Sequence, residues 1–246
     1  MIAMIFAAGL GSRLAPLTDH RPKALVEFQG KTMLENAARK LTGAGFNRLV
    51  INVHHHAGMM MDFIKSHDLG AEVMISDESD FLLDTGGGIL KARRLLSSEP
   101  DFLMYNVDIA CDMDISALVS HHRNSGNLAT LAVMDRYSTR KLAFDSGMNL
   151  CEWHNITTGE KKIARPSADH LTDFAFSGIS MANREIFGLI TETGKFSITD
   201  MYLRLAQEHR IGGYAHGGIW ADLGTTEKLA KAGELFRGRA QVSGEC

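Results

Sequence analysis

Cysteine is scarce in this chain of 246 residues: Cys111, Cys151 and Cys246 stand far apart, with no CxxC spacing. That usage argues against a disulfide framework and fits a reducing compartment, so the expected location is the cytoplasm. No run of Lys and Arg is long enough to form a basic patch, and the formal net charge of -3 gives no general attraction for polyanions. Neither nucleic acid nor an anionic membrane is therefore an expected partner. Long apolar runs are missing too. The segment from Met1 to Ala8 is too short to span a bilayer, has no basic region before it and runs into glycines, so it reads as a buried first strand and not as a signal sequence. There is no internal repeat, no low-complexity tract and no proline-rich linker, with only 4 prolines in all.

What is present is the composition of an ordinary globular protein, 45% hydrophobic and 22% charged, enough for one sizeable core. Short apolar runs alternate with amphipathic stretches. Strands are expected at Ala3 to Ala7, Leu49 to Val53, Glu72 to Ser76 and Phe102 to Asn106, each nearly continuous in apolar residues, as strands covered on both faces are. Helices are expected near Leu34 to Leu41, Met59 to Ser66 and Ile89 to Leu96, where apolar positions recur every three or four residues.

Beyond Leu128 the pattern is less regular, with short strands at Ala129 to Met134, Leu142 to Phe144 and Phe174 to Met181 and helices near Ile198 to Gln207 and Thr226 to Phe236. The expectation is an α/β fold in one domain spanning 1–246, an open, mostly parallel Rossmann-like sheet flanked by helices. Residues 1–127 would form a nucleotide-binding half, 128–236 a sugar-binding half and 237–246 a tail. In such folds ligands bind at the carboxyl edge of the sheet, where the unusual residues should gather.

The first strand is followed by Ala7-Ala8-Gly9-Leu10-Gly11-Ser12-Arg13, then Pro16-Leu17-Thr18 and Pro22-Lys23-Ala24-Leu25. Two glycines after a strand describe a tight turn as readily as a phosphate cradle, in which backbone N–H groups approach oxygens with no Cβ in the way. The loop is not a dinucleotide fingerprint, because Leu14 stands where the third glycine would be, and it is not a Walker A loop, because no Gly-Lys-Ser/Thr follows. Arg13 and Lys23 tilt the reading towards phosphate: a guanidinium can fork two pyrophosphate oxygens, and an ammonium can act as a point charge.

These residue types and spacings resemble the signature loop of the sugar-1-phosphate nucleotidyltransferases. The resemblance runs from Met1 to about Phe236, is weak from Asp135 to Asp173, and looks most like the branch containing N-acetylmuramate 1-phosphate uridylyltransferases. It implies the nucleotide-diphospho-sugar transferase fold, with a nucleoside triphosphate and a sugar 1-phosphate as substrates. It also implies that Ala8, Gly9, Leu10, Gly11, Ser12, Arg13 and Lys23 bind the nucleotide, with Arg13 and Lys23 catalytic.

Asp108 follows the apolar run Phe102-Leu103-Met104-Tyr105, at the end of a central strand, and Asp222 lies in Trp220-Ala221-Asp222-Leu223-Gly224-Thr225. A carboxylate at a strand end closes turns or caps helices as well as holding metals. The resemblance makes these two the ligands of Mg²⁺, a hard cation that accepts one or two carboxylates. Val107 departs from the glycine usual before the first aspartate. Asp112 and Asp114 precede Ile115 to Val119 as helix caps, and Cys111 is too soft a donor for Mg²⁺. Consecutive side chains of His54-His55-His56 diverge and do not suit one metal.

Asp84-Thr85-Gly86-Gly87-Gly88 places three glycines just before a helix. The resemblance assigns Thr85, Gly86 and Gly87 to the base and ribose, and Asn106, Ser177 and Gly178 to the sugar phosphate. Where relatives carry a Glu-Lys-Pro segment, this chain has Glu160-Lys161-Lys162 and Arg165-Pro166, so Lys161, Lys162 and Arg165 are substitutes to consider beside plain surface solvation. Two other readings remain: a mannose- or heptose-1-phosphate guanylyltransferase, and a non-catalytic nucleotide-sugar sensor. Arg13, Lys23, Asp108 and Asp222 together speak against the sensor. Oligomeric state is not encoded in any of these features.

Overall fold

The computed structural model of the chain describes residues 1–167 and 170–242. The first half delivers β1 (Ile2–Phe6), a small hairpin of β2 (Glu27–Phe28) and β3 (Lys31–Thr32), α1 (Met33–Gly43), β4 (Arg48–Val53), α2 (Ala57–Ser66), β5 (Glu72–Asp77), α3 (Asp84–Lys91), α4 (Arg93–Leu96) and β6 (Asp101–Asn106). The start of α1 shows why the sequence folds so locally. Thr32 Oγ1 accepts the Glu35 N–H at 3.1 Å while the Glu35 carboxylate accepts the Thr32 N–H at 2.8 Å, a reciprocal cap that satisfies two otherwise orphan donors.

The second half adds β7 (Ile109–Cys111), α5 (Ile115–Ser125), β8 (Ala129–Met134), β9 (Arg140–Phe144), β10 (Leu150–Asn155), β11 (Lys161–Ile163), β12 (Thr172–Asn183), α6 (Ile198–Leu205), β13 (Ile211–Ala215), β14 (Trp220–Asp222) and α7 (Thr226–Val242). One 10-stranded sheet runs β11-β10-β9-β12-β6-β1-β4-β5, with β8 also paired to β12 and β13 to β8. β1 lies parallel between β4 and β6, and β12 joins β6 antiparallel. The fold is thus a mixed, mostly parallel α/β sheet with helices on both faces.

Side-chain alternation splits the core into two layers. Ala3, Ile5, Leu49, Ile51, Leu103 and Tyr105 pack under α1, α2 and α5, while Ile2, Met4, Val50, Phe102 and Met104 pack under α3, α4 and α6. Strands buried on both faces are what the unbroken apolar runs demand.

Three features differ from the expectations. The helix expected from Ile89 begins at Asp84, so the three glycines lie inside α3, where two of them pack against Phe196 and Gly194. α7 continues past Phe236 to Val242. Asp114 does cap α5, accepting the N–H groups of Ser116 and Ala117. Asp112 does not: it accepts the Ile219 N–H at 2.8 Å and ties β7 to the segment entering β14.

The chain leaves β1 towards β4 on one side, and after β5 returns to β6 on the other. The reversal opens a crevice at the carboxyl ends of β1 and β6, where α/β sheets bind ligands.

Candidate active site

Two cavities of about 330 Å³ each open at that crevice and share a wall formed by Asn106 and Asp108, at and just beyond the end of β6. The first is lined by Ala7, Ala8 and Gly9 after β1, by Lys23, and by Thr85 and Lys195. The loop after β1 closes through Gly11, whose φ of 68° is left-handed; a Cβ there would stand 2.9 Å from Lys23 Cβ and 3.0 Å from Thr18 Cγ2. Thr18 Oγ1 donates to the Gly11 carbonyl at 2.9 Å. Glycine is therefore required at this turn by conformation and by space.

The floor of this cavity is a buried polar relay. The Ala7 N–H donates to Asn52 Oδ1 at 2.7 Å, and Asn52 Nδ2 donates to Glu78 Oε1 at 2.8 Å. Glu78, fully buried, takes the Leu83 N–H on its other oxygen at 3.2 Å. The relay fixes the first residue of the loop against β4 and leaves its polar atoms satisfied.

The second cavity is lined by Arg13, Asp108 and Asp222 on one side and by Arg136, Arg140 and Lys141 on the other, with Trp153 and Trp220 as aromatic walls. The aspartates are joined by backbone. β14 pairs antiparallel with β7, Asp222 facing Ile109, and the Leu223 N–H donates to the Asp108 carbonyl at 2.8 Å. A Cβ placed on Gly224 would lie 2.6 Å from Asp222 Oδ1, 3.3 Å from Arg13 Nη2 and 3.4 Å from Asp108 Oδ2. Two carboxylates and a guanidinium thus converge on one point that a side chain at 224 would fill.

Each carboxylate is matched by a lysine. Lys23 Nζ donates to Asp108, and Lys228 Nζ, from the first turn of α7, lies 2.5 Å from Asp222 Oδ2. Burial pushes the Asp222 carboxyl up, but Lys228, the Gly224 N–H and Lys23 outweigh it and hold the group below its ordinary range. Opposite, the Arg136 guanidinium lies 3.6 Å from the Trp220 ring centroid and donates to the Phe176 carbonyl at 2.8 Å, while Lys141 donates to the Arg136 carbonyl at 2.8 Å. Burial pulls the Arg136 pKa down and Asp222 counters it; the side chain stays a cation at neutral pH.

The nucleotidyl transferase family profile matches residues 2–237, nearly the whole chain. The chain belongs to the nucleotidyl transferase family. Similarity to N-acetylmuramate alpha-1-phosphate uridylyltransferase of Caulobacter vibrioides is 30% identity over 240 residues, covering 95% of this chain and 96% of the relative. The enzyme of the same name from Neisseria meningitidis serogroup B is 28% identical over 237 residues, covering 96% and 98%. The fold superposes on UDP-glucose pyrophosphorylase with a TM-score of 0.78, at 17% identity and with 97% and 98% of the two chains covered. The chain is an enzyme of the sugar-1-phosphate nucleotidyltransferase type.

Within this nucleotidyltransferase, Ala8, Gly9, Lys23, Thr85, Asn106 and Asp108 line the first cavity. Arg13 lines the second, with Asp108, Asp222 and Gly178. Leu10 is half-exposed, and Ser12 opens the short helical turn that carries Arg13. Gly86 and Gly87 are not in an exposed loop. Both are buried in α3, where a Cβ on Gly86 would lie 2.3 Å from the Phe196 ring and one on Gly87 would lie 2.3 Å from the Gly194 carbonyl. Ser177 turns its hydroxyl to His216 Nε2 at 2.8 Å, and its carbonyl accepts Trp220 Nε1 at 2.9 Å, so it braces the wall and is no part of the cavity lining.

The basic substitutes are engaged elsewhere. Lys161 pairs with Glu152, Lys162 with Asp200, and Arg165 donates to the His209 carbonyl. Sequence reasoning missed Asn52, Glu78, Arg136, Arg140, Lys141, Lys195 and Lys228. No motif marks them; only Arg136, Arg140 and Lys141 form a basic cluster in sequence. Among the described residues no group of three or more His, Cys, Asp or Glu side chains is arranged to hold a metal. His54 instead bonds the Glu78 carbonyl at 2.7 Å through Nδ1. Cys111 and Cys151 are free and buried, and Cys246 lies outside the described residues. No helix among the described residues is long and apolar enough to cross a membrane.

Proposed function

We propose that the enzyme transfers a uridylyl group from UTP to N-acetylmuramate 1-phosphate in the cytoplasm, with Mg²⁺ held by Asp108 and Asp222. The observation that carries the transfer chemistry is the convergence of Arg13, Asp108 and Asp222 on Gly224, at the wall between two cavities of reactant size. One cavity has a glycine-containing strand-end loop suited to a nucleotide; the other has cations and aromatic faces suited to a sugar phosphate.

The donor set fits Mg²⁺. Two hard carboxylates without a third protein ligand are what a cation shared with substrate phosphates requires, and both already attract lysine ammonium groups. When bound there, Mg²⁺ would neutralise phosphate charge and favour attack at the α-phosphorus. The chain's own groups do the rest. The sugar-phosphate oxygen attacks, a new P–O bond forms as the α–β bridge breaks, and pyrophosphate leaves with the electron pair. The attacking phosphate is largely ionised at neutral pH, so no general base is needed. Lys23, paired with Asp108 in the unliganded protein, would turn to the equatorial oxygens and Arg13 would meet the leaving group, so that cations meet charge where it develops.

The choice of sugar rests on full-length similarity to the two uridylyltransferases and on cavity charge. Arg136, Arg140 and Lys141 supply more positive charge than one phosphate needs, and N-acetylmuramate carries a lactyl carboxylate besides its phosphate. The test is turnover of N-acetylmuramate 1-phosphate against N-acetylglucosamine 1-phosphate, which differs by that lactyl group, with UTP and with GTP. A preference of about tenfold or more for the acidic sugar with UTP is expected. Equal rates remove the sugar assignment, and a preference for GTP removes the uridylyl assignment.

A further inference from the structure

The buried glycines of α3 have a job that nucleotide contact does not describe. They let a strap of chain from the second half lie directly on the helix. The Gly86 N–H donates to the Phe196 carbonyl at 3.0 Å, the Phe196 N–H donates to the Leu83 carbonyl at 3.2 Å, and the Ile198 N–H donates to Thr85 Oγ1 at 3.0 Å. Any side chain at Gly86 or Gly87 would strike Phe196 or the Gly194 backbone. The strap is therefore held at Gly194, Phe196 and Ile198, and Lys195 between them lines the first cavity together with Ala8 and Gly9.

The charges of that cavity are otherwise committed. Lys23 pairs with Asp108, Glu78 is held by Asn52 and the Leu83 N–H, and Asp84 accepts the Thr85 N–H. Among the described residues Lys195 is engaged in no ion pair. The Lys195 backbone is held on both sides by these contacts while the residue lines a ligand-sized cavity.

We propose that Lys195 binds the phosphate groups of the nucleotide, so that the sugar-binding half supplies a cation to the triphosphate held by the loop after β1. This rests on the nucleotide reading of the first cavity. The clamped strap makes the contact pre-organised and rewards charge, not base or ribose.

Calorimetric titration of wild type, Lys195→Met and Lys195→Arg with UTP, GTP, UMP and uridine tests it. Lys195→Met should bind UTP about tenfold more weakly and with a shallower dependence on salt, bind uridine as wild type does, and be restored in large part by Lys195→Arg. Unchanged UTP affinity in Lys195→Met overturns the inference, as does an equal loss for uridine, which would make Lys195 a reader of base or ribose. Failure of the wild type to bind either triphosphate would take down the nucleotide reading as well, whereas normal wild-type binding with an unaffected Lys195→Met removes this inference alone.

Discussion

Asp108 and Asp222, far apart in sequence, are locked side by side by one backbone hydrogen bond, from the Leu223 N–H to the Asp108 carbonyl at 2.8 Å, at the end of the ribbon formed by β7 and β14. The ribbon lies outside the main sheet. Its separate pairing fixes the spacing of the two carboxylates without reference to the strands behind them.

Replacing either aspartate by alanine should lower kcat by about 10²-fold or more while the circular dichroism spectrum stays native, because each removes charge stabilisation in the transition state and little core packing. Steady-state kinetics with a far-ultraviolet spectrum checks this. Wild-type turnover in either variant would remove the metal assignment.

Lys228 pairs with Asp222 and would compete there with the proposed Mg²⁺. Lys228→Met should therefore lower the Mg²⁺ concentration needed for half-maximal rate by several-fold and tighten Mn²⁺ binding followed by electron paramagnetic resonance. An unchanged Mn²⁺ affinity would show that the 2.5 Å ion pair opposes nothing.

Lys23→Met should reduce kcat more than it weakens UTP binding if, as proposed, its ammonium meets charge at the reacting phosphorus. A rise in KM at constant kcat, measured over a UTP series, would make Lys23 a ground-state binding residue only.

The parts legible in the sequence are those whose chemistry is local. An apolar run ending in Asn106-Val107-Asp108 marks a strand end, and two glycines followed by Arg13 mark a loop that does line the crevice. Contacts made only by tertiary packing left no such mark. Asn52 looks like an ordinary strand residue until Glu78 is seen beside it, and Arg136 and Lys141 sit in the stretch where the family pattern is weakest. The glycines of α3 misled because a Gly-Gly-Gly run suggests an open turn, while here it answers the close approach of Phe196 and Gly194. β10 and β11 escaped notice because Glu152, His154, Lys161 and Lys162 interrupt their hydrophobic alternation.

Gly87→Ala follows from that close approach. A Cβ 2.3 Å from a backbone carbonyl cannot be absorbed by a flexible side chain, so the variant should lose about 1–3 kcal/mol in chemical denaturation, as overpacked sites do. Wild-type stability would mean that the strap yields freely.

His122 is buried, with Nδ1 bonded to Thr130 Oγ1 at 2.8 Å, and burial pulls its pKa below the ordinary 6.5 despite the opposing pull of Asp101. The unfolded chain then takes up a proton before the folded one does. The neutral imidazole contributes fully above pH 6.5, and the fold loses stability as pH falls below that value, by up to about 1.4 kcal/mol per pH unit, levelling off below the folded pKa. Urea unfolding of wild type and His122→Asn between pH 7.5 and 5 (about the working range of the group) should give a shallower loss in the variant; parallel curves would contradict the assignment.

Uridylyl transfer by this enzyme is checked by measuring pyrophosphate release from UTP with N-acetylmuramate 1-phosphate and Mg²⁺ both present. Release should require all three together, yield a uridine diphosphate sugar in equal amount, and disappear in Asp222→Ala. Folded wild-type protein that releases no pyrophosphate with this pair, or with GTP, CTP, ATP or dTTP against glucose, mannose, heptose and N-acetylglucosamine 1-phosphates, would contradict it.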